Sequence, residues 1–443
     1  MGRRVTRQEF LLMSAGAGAG FVLAGCGGAP EDNPAVQQQA GAGSGEEYKG
    51  PKVDLSFWNG FTGGDGPYMR KLVEEFSSQH DNINVTMNTV VWASYYQKVP
   101  AAVSSGEGPD VGIMHIDTVA TNAARAVILP LDDVAKALKL KESDFVPVVW
   151  NAGIYEGKRY GIPLDVHPFG DFYNKDVMKK GGLDPNEPPE TRDDFMGALE
   201  QLKSEGVQGF WVPTVPPGST WLFEAMLWQY GGDLYNEDVT KAAWNSDAGV
   251  DALTWLIDLI KNGYSPENVG DGADLVAFQN GNNAFYWSGI WNINPLRAAG
   301  VNYGAVPLPQ IGSQKATWAN SHNFVIMNKR GQDPNKIAAS KVFINWISTH
   351  SAEWAKAGQV PARNSVRESS TFQDLEFQSN LAEQLPYVRF PPSVPGIGDV
   401  QLTALDPAVN EALLLKKDPK TALDESASQA NQLLKENRQK YQA

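Results

Sequence analysis

Apolar and polar residues alternate over Val53–Trp58 (VDLSFW), the two-residue period of a half-buried strand. A glycine-rich polar loop, Asn59–Gly66, follows. Pro67–Gln79 then spaces Met69, Leu72, Val73 and Phe76 along one helical face, and Ile83–Val91 (INVTMNTVV) returns to strand character. This βαβ opening predicts a parallel sheet with the first loop at its carboxyl edge, where open α/β sheets bind ligands. A helix is expected over Tyr95–Ser105, stopped at Gly106-Glu107-Gly108-Pro109. A third strand, Asp110–His115, and a helix leading to Leu129-Pro130-Leu131 come next.

The pattern breaks at Gly157–Met178. Arg159–Leu164 and Phe169–Tyr173 read as short β runs on either side of Asp165-Val166-His167-Pro168. Pro163 and Pro168 each lack a backbone donor and restrict the residue before them, so neither suits a helix or a central strand pairing. A crossing between two lobes accounts for such a stretch, and so does a plain strand and loop within one domain. Beyond it, Thr191 is placed to cap a helix over Arg192–Ser204, with Asp193 and Asp194 in the first turn. Phe210–Thr214, Asn283–Trp287 and Tyr303–Pro307 read as strands, and Trp221–Tyr230 and Ser246–Asn262 as helices. Thr317–Met327 is a second extended crossing, Lys336–Thr349 an amphipathic helix and Val360–Arg363 a third crossing. A polar helical tail occupies Asp406–Tyr441. The expected fold is α/β: two α/β lobes joined by extended crossings, with a ligand cleft between them. Residues 51–165 and 322–363 should form the first lobe, and residues 166–321 and 364–443 the second.

Length supports two lobes, because 443 residues exceed the roughly 250–300 at which one core stops growing. A formal charge of −14 argues against a nucleic-acid partner, which needs a concentrated basic face. At the N-terminus Arg3, Arg4 and Arg7 precede a charge-free apolar run, Phe10–Ala24, too short to span a bilayer comfortably. The run ends in Leu23-Ala24-Gly25-Cys26, which resembles a bacterial lipobox, with cleavage before Cys26 and lipidation of its thiol. Residues 1–25 are thus expected to be a lipoprotein signal peptide, and residues 26–50 a flexible tether. Arg3-Arg4 lies out of register with a twin-arginine motif, so the export route stays open. The product is expected outside the cytoplasmic membrane, anchored to its outer face, or on the periplasmic side in a two-membrane envelope. Cys26 is the sole cysteine, which excludes an intrachain disulfide and any cysteine zinc site.

Little in the sequence points to catalysis. Trp287-Ser288-Gly289 lacks the first glycine of a nucleophile elbow. Asp65, Asp117 and Asp165 could flank a sugar bond as acid and base, or simply accept hydrogen bonds from sugar hydroxyls without a reaction. The five histidines are isolated in sequence, with no metal-ligand spacing, and neither a metal nor a cofactor is expected. His115, His167 and His322 nevertheless all fall at strand ends or crossings, which leaves their clustering in space open. Trp228, Trp255 and Trp346 sit within apolar helical faces and are assigned to cores. Trp58, Trp211, Trp221, Trp291 and Trp318 lie at strand ends, loops or crossings, where indole faces can stack on sugar rings.

Several stretches together resemble the family 1 extracellular solute-binding lipoproteins, the carbohydrate-binding relatives of maltose-binding protein that serve ABC importers. They are LSFWNGFTGGDG, SSGEGPDVGIMHID, YGIPLDVHPFGDFYNKDVM, WQYGGDLYN, NNAFYWSGIWN, NYGAVPLP and GQVPARNSV, spread over residues 51–370. The resemblance implies three hinge crossovers and a sugar clamped between the lobes. It implies ligand contacts from Trp58, Asn59, Phe61 and Asp65 in the first loop, from Asp117, and from Asp165 and His167 at the hinge. Trp291, with Asn292 beside it, resembles the stacking aromatic of the second lobe, and Trp221 lies in another ligand-contacting region. Trp318, Asn320, His322 and Arg363 are added from their crossing positions, and Trp211 from its place among the strand-end aromatics. Met114, Thr118 and His167 depart from the maltose binders, which argues against maltodextrin specificity. The implied partners are a mono- or oligosaccharide and the permease subunits of an importer, with the binding protein itself a monomer. A secreted carbohydrate hydrolase and a receptor for a non-sugar solute, such as a glycerophosphodiester, are the competing readings.

Overall fold

The computed structural model describes residues 47–441. Cys26, the signal peptide and nearly all of the tether lie outside the described residues. Among the described residues the thirteen strands open with β1 (Val53–Asn59), β2 (Ile83–Thr89), β3 (Val111–His115), β4 (Ile154–Tyr155), β5 (Lys158–Arg159), β6 (Ile162–Pro163) and β7 (Asp165–Asn174). They continue with β8 (Phe285–Gly289), β9 (Tyr303–Val306), β10 (Thr317–Asn320), β11 (His322–Ile326), β12 (Val360–Pro361) and β13 (Val388–Arg389).

The first sheet has the order β2-β1-β3-β11-β6. Strands β1, β2 and β3 are parallel, as the βαβ opening predicts, and β11 returns antiparallel beside β3, with His322 opposite His115. Val53, Leu55 and Phe57 face inward, and the helix Gly66–Gln79 covers them with Met69, Leu72, Val73 and Phe76. The next helix begins at Trp92, three residues earlier than expected. It ends at Gly106, whose left-handed φ of 84° lets the amides of Gly106 and Glu107 reach the last free carbonyls.

The second sheet is organised on β7, which is buried along all ten residues. Its neighbours are β12, β10, β8 and β9, with β13 beside β10. Asp165–Pro168, expected to separate two β runs, is instead the start of this strand, and the single run expected over Arg159–Leu164 is divided between β5 and β6. Pro168 is tolerated because β7 changes partner there. Asp165 and Val166 pair with β12, whereas Phe169 onward pairs with β8. The second crossing divides at Ser321, so that β10 joins one sheet and β11 the other. Phe210–Thr214, expected as a strand, contributes only an isolated bridge from Phe210 to Phe285.

Other helices follow local rules. Thr191 and Asp194 form a reciprocal capping box at the start of Arg192–Ser204. Ser246 caps Asp247–Lys261, and Asp333 with Pro334 opens Pro334–Thr349. One core gathers Phe195, Trp228, Trp255, Phe285 and Trp287 with the tail residues Val409, Leu423 and Leu434. Another packs Phe57, Phe76, Phe324, Phe343 and Trp346. Trp228, Trp255 and Trp346 are therefore core residues, as their helical faces indicate. Among the described residues no helix is long and apolar enough to cross a membrane.

Candidate functional site

Asp165, the first residue of β7, is fully buried where the two sheets meet. Its carboxylate accepts four hydrogen bonds. His167 Nδ1 donates at 3.1 Å, His322 Nδ1 at 2.8 Å, the His322 backbone N–H at 3.0 Å and Trp354 Nε1 at 2.7 Å. Burial alone pushes this carboxyl up, but the neighbouring His322 and His167 outweigh it and hold the group well below the usual carboxylate range. His167 is pushed down to about 4 by burial and then by His322, against the opposing pull of Asp165. Burial, His322 and His167 likewise push His115 well down. Both rings are therefore neutral at pH 7.

The strand register brings the three histidines together. His115 ends β3, His322 begins β11 opposite it, and His167 pairs with Asn320 across β7 and β10. One ring nitrogen from each lies within 4.8 Å of the other two. On one side Phe61 sets its edge on His322 at 4.9 Å, and Trp92 stacks on His322 at 5.6 Å and packs on His115 at 4.4 Å. Gly60 makes this possible, because a Cβ there would meet the Trp92 indole at 2.0 Å.

The other side is aromatic. Trp221 stacks on Trp318 with centroids 4.5 Å apart, and Trp291 stands nearly perpendicular to Trp318 at 6.3 Å. Phe169 packs on Trp318 at 5.1 Å, and Trp291 meets His167 at 5.8 Å. Trp221 and Trp291 are half-buried, so part of each ring stays accessible. Gly289 leaves room for Trp291, whose ring a Cβ at that position would meet at 2.0 Å.

Phe61, Asp165, His167, Trp221, Trp291, Trp318 and His322 are therefore brought into one constellation. Asp65 joins them at its border. Burial pushes its carboxyl up, its charge is coupled to His322 and Asp165, and its Oδ1 has no hydrogen-bond partner among the described residues. Asp117 accepts from Asn320 Nδ2 at 3.1 Å, while Asn320 Oδ1 accepts from the Ile116 amide, so the second crossing is tied to the helix Ile116–Ala124.

Five expected contacts find other surroundings. Asn59 is fully buried, and its Oδ1 accepts from the Phe61 amide and Thr89 Oγ1, so it shapes the loop. Asn292 donates to Ser288 Oγ and the Gly289 carbonyl, steadying the turn that carries Trp291. Arg363 donates to Ser348 Oγ at 2.6 Å and to Asn345 Oδ1, with its guanidinium 5.5 Å from the Phe145 ring, and is spent on packing against the helix Pro334–Thr349. Trp58 and Trp211 are half-buried, and none of the ring contacts above includes either.

Other participants escape sequence reasoning. Trp92 and Tyr96 lie at the start of a helix that begins earlier than its apolar spacing indicates, and Trp354 reaches Asp165 from a short helix with no motif. Glu224 lies three residues beyond Trp221 on one helix face, fully buried, and neither carboxyl oxygen closes a hydrogen bond among the described residues. Burial pushes this carboxyl well up, and Asp406 and Asp117 add to the shift. Trp318 lies near enough to oppose it without closing a hydrogen bond. A separate cavity of about 370 Å³ lies between Val148–Ile154 and Val388–Ser393; it shares no lining residue with this cluster.

A model of the family described as bacterial extracellular solute-binding protein matches residues 62–354. The galactooligosaccharide-binding protein of Bacillus subtilis is 22% identical over 381 residues, covering 83% of this chain and 86% of the relative. The sn-glycerol-3-phosphate-binding periplasmic protein UgpB of Pectobacterium atrosepticum is 24% identical over 417 residues, covering 86% and 91%. Among solved structures, the cyclic alpha-maltosyl-1,6-maltose binding protein of Arthrobacter globiformis superposes with a TM-score of 0.74 at 24% identity. That match covers 87% of this chain and all of the neighbour, and it shows the two-lobed fold.

Proposed function

The chain belongs to the family of bacterial extracellular solute-binding proteins, and from that premise we propose that it captures a mono- or oligosaccharide for an ABC importer. The observation that carries the sugar reading is the wall of Trp221, Trp291 and Trp318 beside a floor of hydrogen-bonding side chains. Ring C–H groups of a sugar stack on indole faces, while Asp65 and Asp117 accept from its hydroxyls. The division of the chain at 165/166, 321/322 and 363/364 belongs to this reading. The chain passes between the two sheets where β6 leads into β7 and β10 into β11, and a ligand held by both lobes favours their closed arrangement by what it gains from touching both. The ligand is then handed to permease subunits by a monomer tethered through lipid at Cys26 to the outer face of the membrane.

Binding without turnover fits the floor. Asp165 is held ionised by four donors, so it cannot deliver a proton as a glycosidase acid must. A phosphorylated solute calls for a cation, and Arg363 is already bonded to Ser348 and Asn345. A thermal-shift panel of sugars with sn-glycerol-3-phosphate included, followed by chromatography of the incubated sugars, tests the reading. Stabilisation by one sugar class with no product is the expected result. Released monosaccharide, or stabilisation only by the phosphate ester, would overturn it.

A further inference from the structure

Every histidine in the hinge cluster has its Nδ1 engaged by an oxygen. Asp165 Oδ1 and Oδ2 accept from His167 and His322, and the Tyr96 hydroxyl lies 2.7 Å from His115 Nδ1. The atom left on each ring is Nε2, and one nitrogen from each of the three rings falls within a 4.8 Å span. Three ring nitrogens this close together form a donor set for one cation. The outer partners also match those of metal-bound histidines, whose second ring nitrogen is almost always held by a carboxylate or another oxygen.

We propose that His115, His167 and His322 coordinate one divalent transition-metal ion through Nε2, with Asp165 and Tyr96 as outer-shell partners. Nitrogens bound tetrahedrally to Zn²⁺ at about 2.0–2.1 Å stand about 3.3 Å apart, so each ring moves inward by under about 1 Å. Three imidazoles backed by one carboxylate suit Zn²⁺, Cu²⁺, Ni²⁺ or Co²⁺ and disfavour Mg²⁺ and Ca²⁺, which take oxygen ligands. Three protein ligands leave a further position for an oxygen from outside the chain. The ligands come from β3, β11 and β7, so the ion ties the first sheet to the strand on which the second is organised. This site does not depend on the sugar reading.

The test uses the full folded chain, stripped of metal with a chelator and titrated with Co²⁺ and Zn²⁺. One equivalent of Co²⁺ should develop the visible absorption of a tetrahedral ion, and Zn²⁺ should displace it. X-ray absorption of the Zn²⁺-loaded protein should count three imidazoles. His115→Ala and His322→Ala should each weaken Zn²⁺ binding by ~100-fold or more, Asp165→Asn by ~10–100-fold, and His80→Ala not at all. Absence of saturable binding, fewer than three imidazoles, or unchanged affinity in folded His115→Ala and His322→Ala would overturn the proposal. If either variant fails to fold, the imidazole count on the wild-type protein decides. Sugar titration of the stripped protein is read separately, so the two proposals fail independently.

Discussion

At the polar floor, Asp165 meets four donors and each histidine of the cluster has its Nδ1 held by an oxygen. At the aromatic wall, Trp221 and Trp291 are half-buried and held by ring packing, with accessible face remaining. The floor is a closed network in which removing one member strands its partners. The wall is a set of surfaces, each of which can lose one member and keep the rest. Substitutions in the floor should therefore act first on stability, and those in the wall first on ligand affinity.

The largest effect should come from Asp165→Ala, which leaves His167, His322 and Trp354 as buried donors without an acceptor. A loss of about 3–5 kcal/mol is expected, measured by denaturant unfolding followed by circular dichroism. Full stability in that variant would dissolve the contrast. Trp318→Ala comes next, because this wall residue is almost wholly buried and stacks on Trp221 and Phe169. It should lose ~3 kcal/mol or more and weaken sugar binding as well. Arg363→Ala should cost about 1–2 kcal/mol through Ser348 and Asn345 while leaving sugar affinity unchanged in calorimetry. A fall in affinity would return Arg363 to the site.

The smallest effect concerns Asp171, buried on β7 with neither oxygen in a hydrogen bond among the described residues. Burial pushes its carboxyl well above the usual range, with the Trp287 indole opposing. The folded state thus binds this proton more tightly than the unfolded chain. The resulting stability is complete below the unfolded value near 4 and is lost as the pH rises through the folded one. Asp171→Asn should flatten this decline, narrowing the difference in melting temperature between pH 4.5 and pH 7.5 by ~2 °C or more. An unchanged difference would show that Asp171 is ionised in the fold.

What could be read from the sequence was what local rules decide. The βαβ opening, the capping box at Thr191 and the stop at Gly106 each depend on a few adjacent residues. The hinge was legible as a special stretch, but its strand begins at Asp165 rather than at Phe169. Pro168 breaks the local pattern, and only the exchange of β12 for β8 makes it acceptable. Trp291, Trp221 and Asp165 stood out by position. The convergence of His115, His167 and His322 did not, because it spans more than two hundred residues and rests on strand register. Trp92, Trp354 and Glu224 carry no motif of their own, and the partners of Arg363 lie on a helix that the sequence does not place beside it.

Calorimetric titration of the best sugar from the panel into wild-type protein and Trp291→Ala tests the central claim most directly. Trp291 is half-buried, so its removal should leave the fold and melting temperature nearly unchanged. Loss of one stacking face, worth about 1–1.5 kcal/mol, should weaken binding about tenfold. Equal affinity for the two proteins would place the sugar elsewhere and contradict the account.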